Sequence, residues 1–174
     1  GKLSPPLGYY PSAPILSPIA EIFESYNIPV LTHCGGETIS TDETTSLTVF
    51  EGDNKVTLSA NNRKQMAKKL NDPNRWKLVL EKFPNLKLNF AHFGGYDTWE
   101  EVTPLTDAED PQHRKETIID FINNYPNVYA DFSFNLVKDH LTKNLKTVLY
   151  NSESIRNKTM FGTDYWVVNP QGNL

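Results

Sequence analysis

The sequence predicts an α/β fold, a run of β-α units laid around a parallel sheet. Three observations carry that prediction. Short apolar runs rich in β-branched and aromatic residues alternate with segments of helical apolar spacing. Helical segments open on a capping residue followed by proline at Ser17-Pro18, Asp72-Pro73 and Asp110-Pro111. Helices also end in matching turns, Phe83-Pro84-Asn85 and Tyr125-Pro126-Asn127, directly before an apolar run. Proline cannot continue a helix, so it marks the passage into the next strand.

Taken in chain order, Lys2 and Leu3 ahead of Pro5-Pro6 read as the tail of a first strand. Ser17 is the expected N-cap of a helix carrying Ile19, Ile22, Phe23 and Tyr26 on one face. Ile28 to Thr32 reads as a strand, followed by a long connection from Cys34 to Asn71. A helix opened by Asp72-Pro73 carries Trp76, Val79, Leu80 and Phe83, and leads to a strand from Leu86 to Ala91. A second long connection, Phe93 to Asp110, precedes a helix with Ile118, Ile119 and Ile122. A strand over Val128 to Phe132, a helix over about Val137 to Tyr150 and a strand over Thr159 to Gly162 complete the order (β)αβαβαβαβ. Doubly wound and barrel arrangements both fit this alternation. The helix-to-strand turns are short and the strand-to-helix connections long, which points to a substrate-covering surface at the strand ends. Family-specific insertion without substrate contact is the plainer reading of the same loops.

Residues 1–174 hold one domain, and fall short of the roughly 200 residues that a complete (β/α)₈ barrel needs. The balance of 17 Lys+Arg against 21 Asp+Glu gives no global reason to expect nucleic acid or an anionic membrane as partner. No apolar run approaches the roughly 20 residues of a membrane span, and no signal-peptide pattern opens the chain. The one cysteine, Cys34, cannot close an intrachain disulfide, and a cytoplasmic setting is expected. The start Gly1-Lys2-Leu3, without methionine, reads as a piece of a longer chain or a tag remnant. Neither a phosphate-binding glycine loop of the P-loop type nor a nucleophile elbow is present.

The chemistry gathers at three strand ends: Thr32-His33-Cys34-Gly35-Gly36, Ala91-His92-Phe93-Gly94-Gly95 and Gly162-Thr163-Asp164. Parallel strands place residues at equivalent ends around a common mouth, and neutral imidazole and carboxylate are the usual ligands of Zn²⁺ and similar ions. Taken singly, each has a plain alternative: a hydrogen-bonded packing histidine, or a glycine pair serving a turn. The repetition of His with Gly-Gly at two strand ends, and Asp164 at a third, favours a site.

With these segments in hand, the chain resembles the C-terminal portion of the amidohydrolase superfamily, in its amidohydrolase-related family 2 branch of metal-dependent TIM-barrel hydrolases. The resemblance extends to Gly1-Lys2-Leu3-Ser4-Pro5-Pro6-Leu7-Gly8-Tyr9, Asn74-Arg75-Trp76, Tyr125-Pro126-Asn127-Val128-Tyr129-Ala130-Asp131 and Phe161-Gly162-Thr163-Asp164. It implies a partial (β/α)₈ barrel, approximately strands four to eight with their helices. It implies His33 as a strand-five metal ligand. His92 would be the strand-six histidine, which binds metal or orients water and substrate. Asp164 would be the strand-eight aspartate, which binds metal and moves the proton of the attacking water. Lys2 falls where some members hold a carboxylated lysine, although a surface lysine is the plainer reading. A divalent metal, zinc first, is the implied cofactor, and the implied substrate is a small amide, ester or lactone. A metal-dependent non-oxidative decarboxylase of an aromatic or unsaturated acid is an alternative within the same branch. A catalytically silent fragment that binds a ligand or partner chain is a second.

The departures matter as much. No His-x-His or Glu-x-His pair, the family's first-strand ligands, occurs in the sequence. His113 and His140 lie in helical patterns and are expected at the surface. About half the barrel and two ligands are therefore expected to be missing, and an open strand edge invites self-association as a homo-oligomer. Cys34 should point away from His33 and pack rather than act as a nucleophile. Asp131 could face the mouth or serve a turn. Trp76 is expected in the core, Arg75 in an ion pair, and Trp99, Tyr165 and Trp166 are candidates for the pocket wall.

Overall fold

The computed structural model describes residues 1–35, 45–99, 111–133 and 139–162, and side chains throughout these ranges except at 111–112 and 139–142. The elements are β1 (Lys2–Leu3), α1 (Ser17–Ser25), β2 (Val30–Thr32), β3 (Ser46–Glu51), β4 (Asn54–Ser59), α2 (Arg63–Leu70), α3 (Lys77–Lys82), β5 (Leu88–Phe90), α4 (Pro111–Asn124), β6 (Val128–Asp131), α5 (Asp139–Asn151), α6 (Glu153–Asn157) and β7 (Thr159–Met160).

Five strands form one parallel sheet in the order β1-β2-β5-β6-β7. Side chains alternate between its faces, and the register aligns the alternation across the sheet. Leu3, Thr32, Phe90 and Ala130 share one face, and Lys2, Leu31, Asn89 and Tyr129 share the other. The first face is the buried one. Val30, Leu88, Phe90, Val128 and Ala130 pack there against Trp76, Val79, Leu80 and Phe83 from the α3 segment, Ile118, Phe121 and Ile122 of α4, and Ile155 of α6. Leu3, Ala20 and Phe23 extend that core toward α1. All the described helices that pack on the sheet thus lie on one side. This separates the two arrangements that the alternation allowed, because a doubly wound sheet carries helices on both faces and a barrel wall on one.

The helix starts follow their local chemistry. Asp72 caps the turn Pro73–Trp76 by accepting the backbone N–H of Asn74 at 2.9 Å, and α3 continues from it. Ser17 is not the cap that its sequence suggests. It is already the first residue of α1, which continues a tight turn over Pro14–Leu16, and its hydroxyl accepts from Lys82 Nζ at 2.7 Å. At the far end of α4, Lys158 Nζ donates to the carbonyls of Ile122 and Tyr125, which would otherwise lack a helical partner.

The long connection after β2 holds structure of its own. β3 and β4 form an antiparallel hairpin paired from Ser46↔Ser59 to Glu51↔Asn54, with Gly52 at φ +57 in the two-residue loop. α2 follows, capped by Asn62 Oδ1 accepting from Gln65 N at 2.9 Å. Tyr10, Val49, Leu58, Met66 and Leu70 form a second, smaller core where hairpin and α2 meet. Arg75 ties the hairpin to the barrel wall through an ion pair with Glu51 at 2.8 Å. No helix among the described residues is long and apolar enough to cross a membrane.

Candidate functional site

β2 and β5 are neighbours, so their C-terminal ends bring His33 and His92 together. The two imidazole centroids lie 5.1 Å apart at an interplanar angle of 66°. Two imidazoles that share one tetrahedral Zn²⁺, at Zn–N distances of about 2.0–2.1 Å, place their ring centres roughly 5 Å apart. The residue types and the ring-centre spacing match two imidazole ligands of one divalent ion, and which nitrogen each ring offers is set by its hydrogen-bond partners.

His92 reaches this position through unusual backbone. His92 (φ 62), Phe93 (φ 42), Gly94 (φ 86) and Gly95 (φ 94) all lie at positive φ. For a residue with a Cβ that conformation costs on the order of 1 kcal/mol or more, so the surroundings must impose it. The carbonyl of His92 accepts from Gly95 N at 2.8 Å, and that of Phe93 from Trp99 Nε1 at 3.2 Å. The carbonyl of Gly94 accepts from Arg114 Nε at 2.9 Å, and that of Gly95 from Thr98 Oγ1 at 2.8 Å. Each carbonyl of the turn is thus paired, as buried backbone requires. Arg114, 5% exposed, also donates to Asp97 Oδ2 at 2.6 Å. Beneath the turn, Phe93, Trp99 and Phe132 meet with all three centroid separations at 5.1 Å.

Asp131 organises the other side of His92. It ends β6 on the open face and is nearly buried. Its Oδ1 accepts the backbone N–H of His92 at 3.1 Å, the backbone N–H of Ser133 at 3.0 Å and the Ser133 hydroxyl. Its Oδ2 accepts from Asn89 Nδ2 at 2.6 Å. Ser133 in turn meets the ring: His92 Nδ1 lies 2.9 Å from Ser133 Oγ and 3.0 Å from the Ser133 carbonyl oxygen. On the neighbouring strand, His33 Nδ1 lies 3.0 Å from Asn71 Nδ2, which also donates to the Gly35 carbonyl at 3.0 Å.

The remaining predicted residues fall as follows. Asp164 lies outside the described residues, as do Tyr165 and Trp166. Lys2 shares the open face with Asn89 in the edge strand β1 and is exposed; the described contacts do not join it to either histidine. Among the described residues no three His, Cys, Asp or Glu side chains gather as a metal cluster. Cys34 is fully buried, points away from His33 as expected, and burial pushes its thiol up to about 12. That is the state of a packed residue, not of a nucleophile. Trp99, expected at the pocket wall, is a core residue at 2% exposure. His113 is half-exposed near Asp72. The side chain of His140 lies outside the described residues. A cleft of about 380 Å³ opens on the helical side, between the start of α1, the hairpin turn and α3, and none of His33, His92 and Lys2 lines it.

Sequence reasoning missed Asn71, Asn89, Ser133 and Arg114. Asp131 and Ser133 had a usable signal, since period-two spacing puts both on the open face, with Tyr129 and across the sheet from Leu31 and His33. Asn71 and Arg114 had none, because their partners lie 38 and 20 residues away in the chain.

Among curated proteins none matches the chain significantly. A solved structure, an uncharacterized TIM-barrel protein from Bordetella bronchiseptica, superposes with a TM-score of 0.50 at 18% identity, covering 90% of this chain. The match spans only 40% of that longer chain, so residues 1–174 correspond to part of such a barrel. The amidohydrolase family model matches residues 2–174, and with the strand-end histidines in place on a barrel wall the chain belongs to the amidohydrolase family.

Proposed function

We propose that the protein containing this chain is a metal-dependent hydrolase of small amides, esters or lactones. The observation that carries the reading is the His33–His92 pair, held at 5.1 Å on neighbouring strand ends of the open sheet face. His33, His92 and Asp164 would hold the ion, and Lys2 is the weakest member of the set. A divalent ion there, zinc first, supplies a water that is acidic enough to ionise near neutral pH. Asp164 accepts the proton of the attacking water and returns it to the leaving group. His92, rigidly held by Ser133 and the Asp131 cradle, orients its ring toward the reacting centre. The reading carries a small-molecule substrate, a cytoplasmic setting, and no role for nucleic acid or membrane. For residues 1–174 taken alone, self-association through the outer edge of β1 belongs to the same proposal, because among the described residues that edge pairs with no strand.

The test is metal content of the whole polypeptide by mass spectrometry, followed by assay of the zinc-loaded protein on amide, ester and lactone panels. Acid release without CO₂, lost in His92→Ala, is the expected result. CO₂ release from an aromatic or unsaturated acid would replace the hydrolase with a decarboxylase. Stoichiometric metal with neither product would point to a binding role.

A further inference from the structure

We infer that Asn71 and Ser133 hold the two site histidines in opposite neutral tautomers, His33 with its proton on Nε2 and His92 with its proton on Nδ1. The inference concerns the metal-free protein and does not depend on the hydrolase reading.

The assignment follows from counting protons in the two networks. Ser133 has one hydroxyl proton, and it goes to the carboxylate of Asp131, which as an anion can only accept. The Ser133 carbonyl can also only accept. Among the described residues, both groups that meet His92 Nδ1, at 2.9 and 3.0 Å, are therefore acceptors, and Nδ1 is the donor. A neutral His92 then carries its lone pair on Nε2. The same count at Asn71 runs the other way. The Gly35 carbonyl accepts at 3.0 Å and so fixes which end of the Asn71 amide is nitrogen. That same Nδ2 faces His33 Nδ1 at 3.0 Å, so Nδ1 accepts and a neutral His33 carries its proton on Nε2.

The two rings are therefore not equivalent donors. His92 can take an ion on Nε2 with no movement of protons. For His33 to do so its proton must move to Nδ1, where it would face the Asn71 amide donor. Asn71 is 2% exposed, and its Oδ1 is buried with no hydrogen-bond partner among the described residues. Turning that amide would bring an acceptor to Nδ1 and take the donor away from Gly35. Asn71 is thus a positioning residue that keeps His33 as an N–H donor until something compensates the turn.

The experiment is two-bond ¹H–¹⁵N correlation of the imidazoles in the whole polypeptide, labelled with ¹⁵N-histidine and stripped with chelator. Spectra are taken about two pH units above the ordinary histidine pKa of ~6.5, and assigned with His33→Gln and His92→Gln. The expected pattern is a protonated-type Nδ1 and unprotonated-type Nε2 for His92, with the two shifts interchanged for His33. Both rings in one tautomer, or the reversed pair, would overturn the inference. Asn71→Leu should move the His33 shifts to an average of the two tautomers and leave those of His92 in place. Should that variant not fold, Asn71→Asp carries the same test, since a carboxylate opposite Nδ1 should draw the proton there and interchange the His33 shifts. Unchanged His33 shifts in a folded Asn71 variant would remove Asn71 from the role.

Discussion

The backbone N–H of His92 donates to Asp131 Oδ1 across 3.1 Å while the His92 φ stands at 62°. A carboxylate from one strand thus fixes the left-handed backbone at the end of the next. Asp131→Asn puts an amide where up to four donors converge, leaving at least one of them unpaired. The expected loss is about 2–4 kcal/mol of stability, read as a lower urea midpoint. Zinc affinity should fall with it, because the ring that Asp131 holds is a ligand in the proposed site.

Arg114 spans from the Gly94 carbonyl to Asp97, nearly buried. Lysine at this position offers a point charge on a flexible stem and cannot make both bonds in one plane. Arg114→Lys should cost about 2 kcal/mol in thermal unfolding. Arg114→Met should cost more, about 3–5 kcal/mol, because it strands the Asp97 carboxylate.

Gly94 has φ +86, and a Cβ built on it would lie 3.2 Å from Thr98 Cγ2 and 3.4 Å from Arg114 Cβ. Gly94→Ala should therefore destabilise by about 1–3 kcal/mol. Adding Thr98→Ser removes the methyl contact but not the backbone strain. Denaturation of the double variant should show partial recovery; full recovery would mean that φ contributes nothing.

Burial raises the folded-state pKa of Cys34 from 9.0 to about 12. A raised pKa means the folded state keeps the proton longer than the unfolded state. The resulting stability is fully present below pH 9 and is lost as pH rises from about 9 toward 12, at up to about 1.4 kcal/mol per pH unit. Cys34→Ala should flatten that alkaline decline in urea titrations. In the native protein at pH 8 the thiol should react with a disulfide reagent only as fast as the protein opens.

Ile19 and Ile22 of α1 and Tyr26 directly after it lie exposed, and the outer edge of β1 pairs with no described strand. They are spaced three and four residues apart, so they form a single stripe. Residues 1–174 produced alone should self-associate through this side. Light scattering should give a mass above the 19.8 kDa monomer, and Ile22→Glu should lower it. A monodisperse monomer would count against association.

Much of the wall was readable before any coordinates. Apolar runs bounded by Pro-Asn turns gave β5 and β6, and Asp72-Pro73 gave the helix start, because those signals are local. The choice between barrel and doubly wound sheet was not readable from periodicity. It depends on which face Val30, Leu88 and Val128 share, and so on packing between distant segments. The hairpin carries a legible signal within the long connection after β2: Ser46–Glu51 and Asn54–Ser59 alternate around Gly52-Asp53, a two-residue turn pattern. The two histidines were legible from their like place after each apolar run, although the register sets His33 opposite Ala91 and His92 one residue further on. Their unlike hydrogen-bond partners were not, since Asn71 and Ser133 arrive from elsewhere in the chain.

The hairpin and α2 form a module with its own small core, inserted between His33 and the helix that follows. Such an insertion would ordinarily be free to drift in length and sequence among relatives. Here its last residue before the Asp72 cap is Asn71, the partner of His33. Exchange of this module between related barrels would therefore act on the protonation pattern of the mouth, not only on its shape. A graft chosen for a new substrate contour should keep an amide donor at that final position, or it will change the chemistry along with the fit.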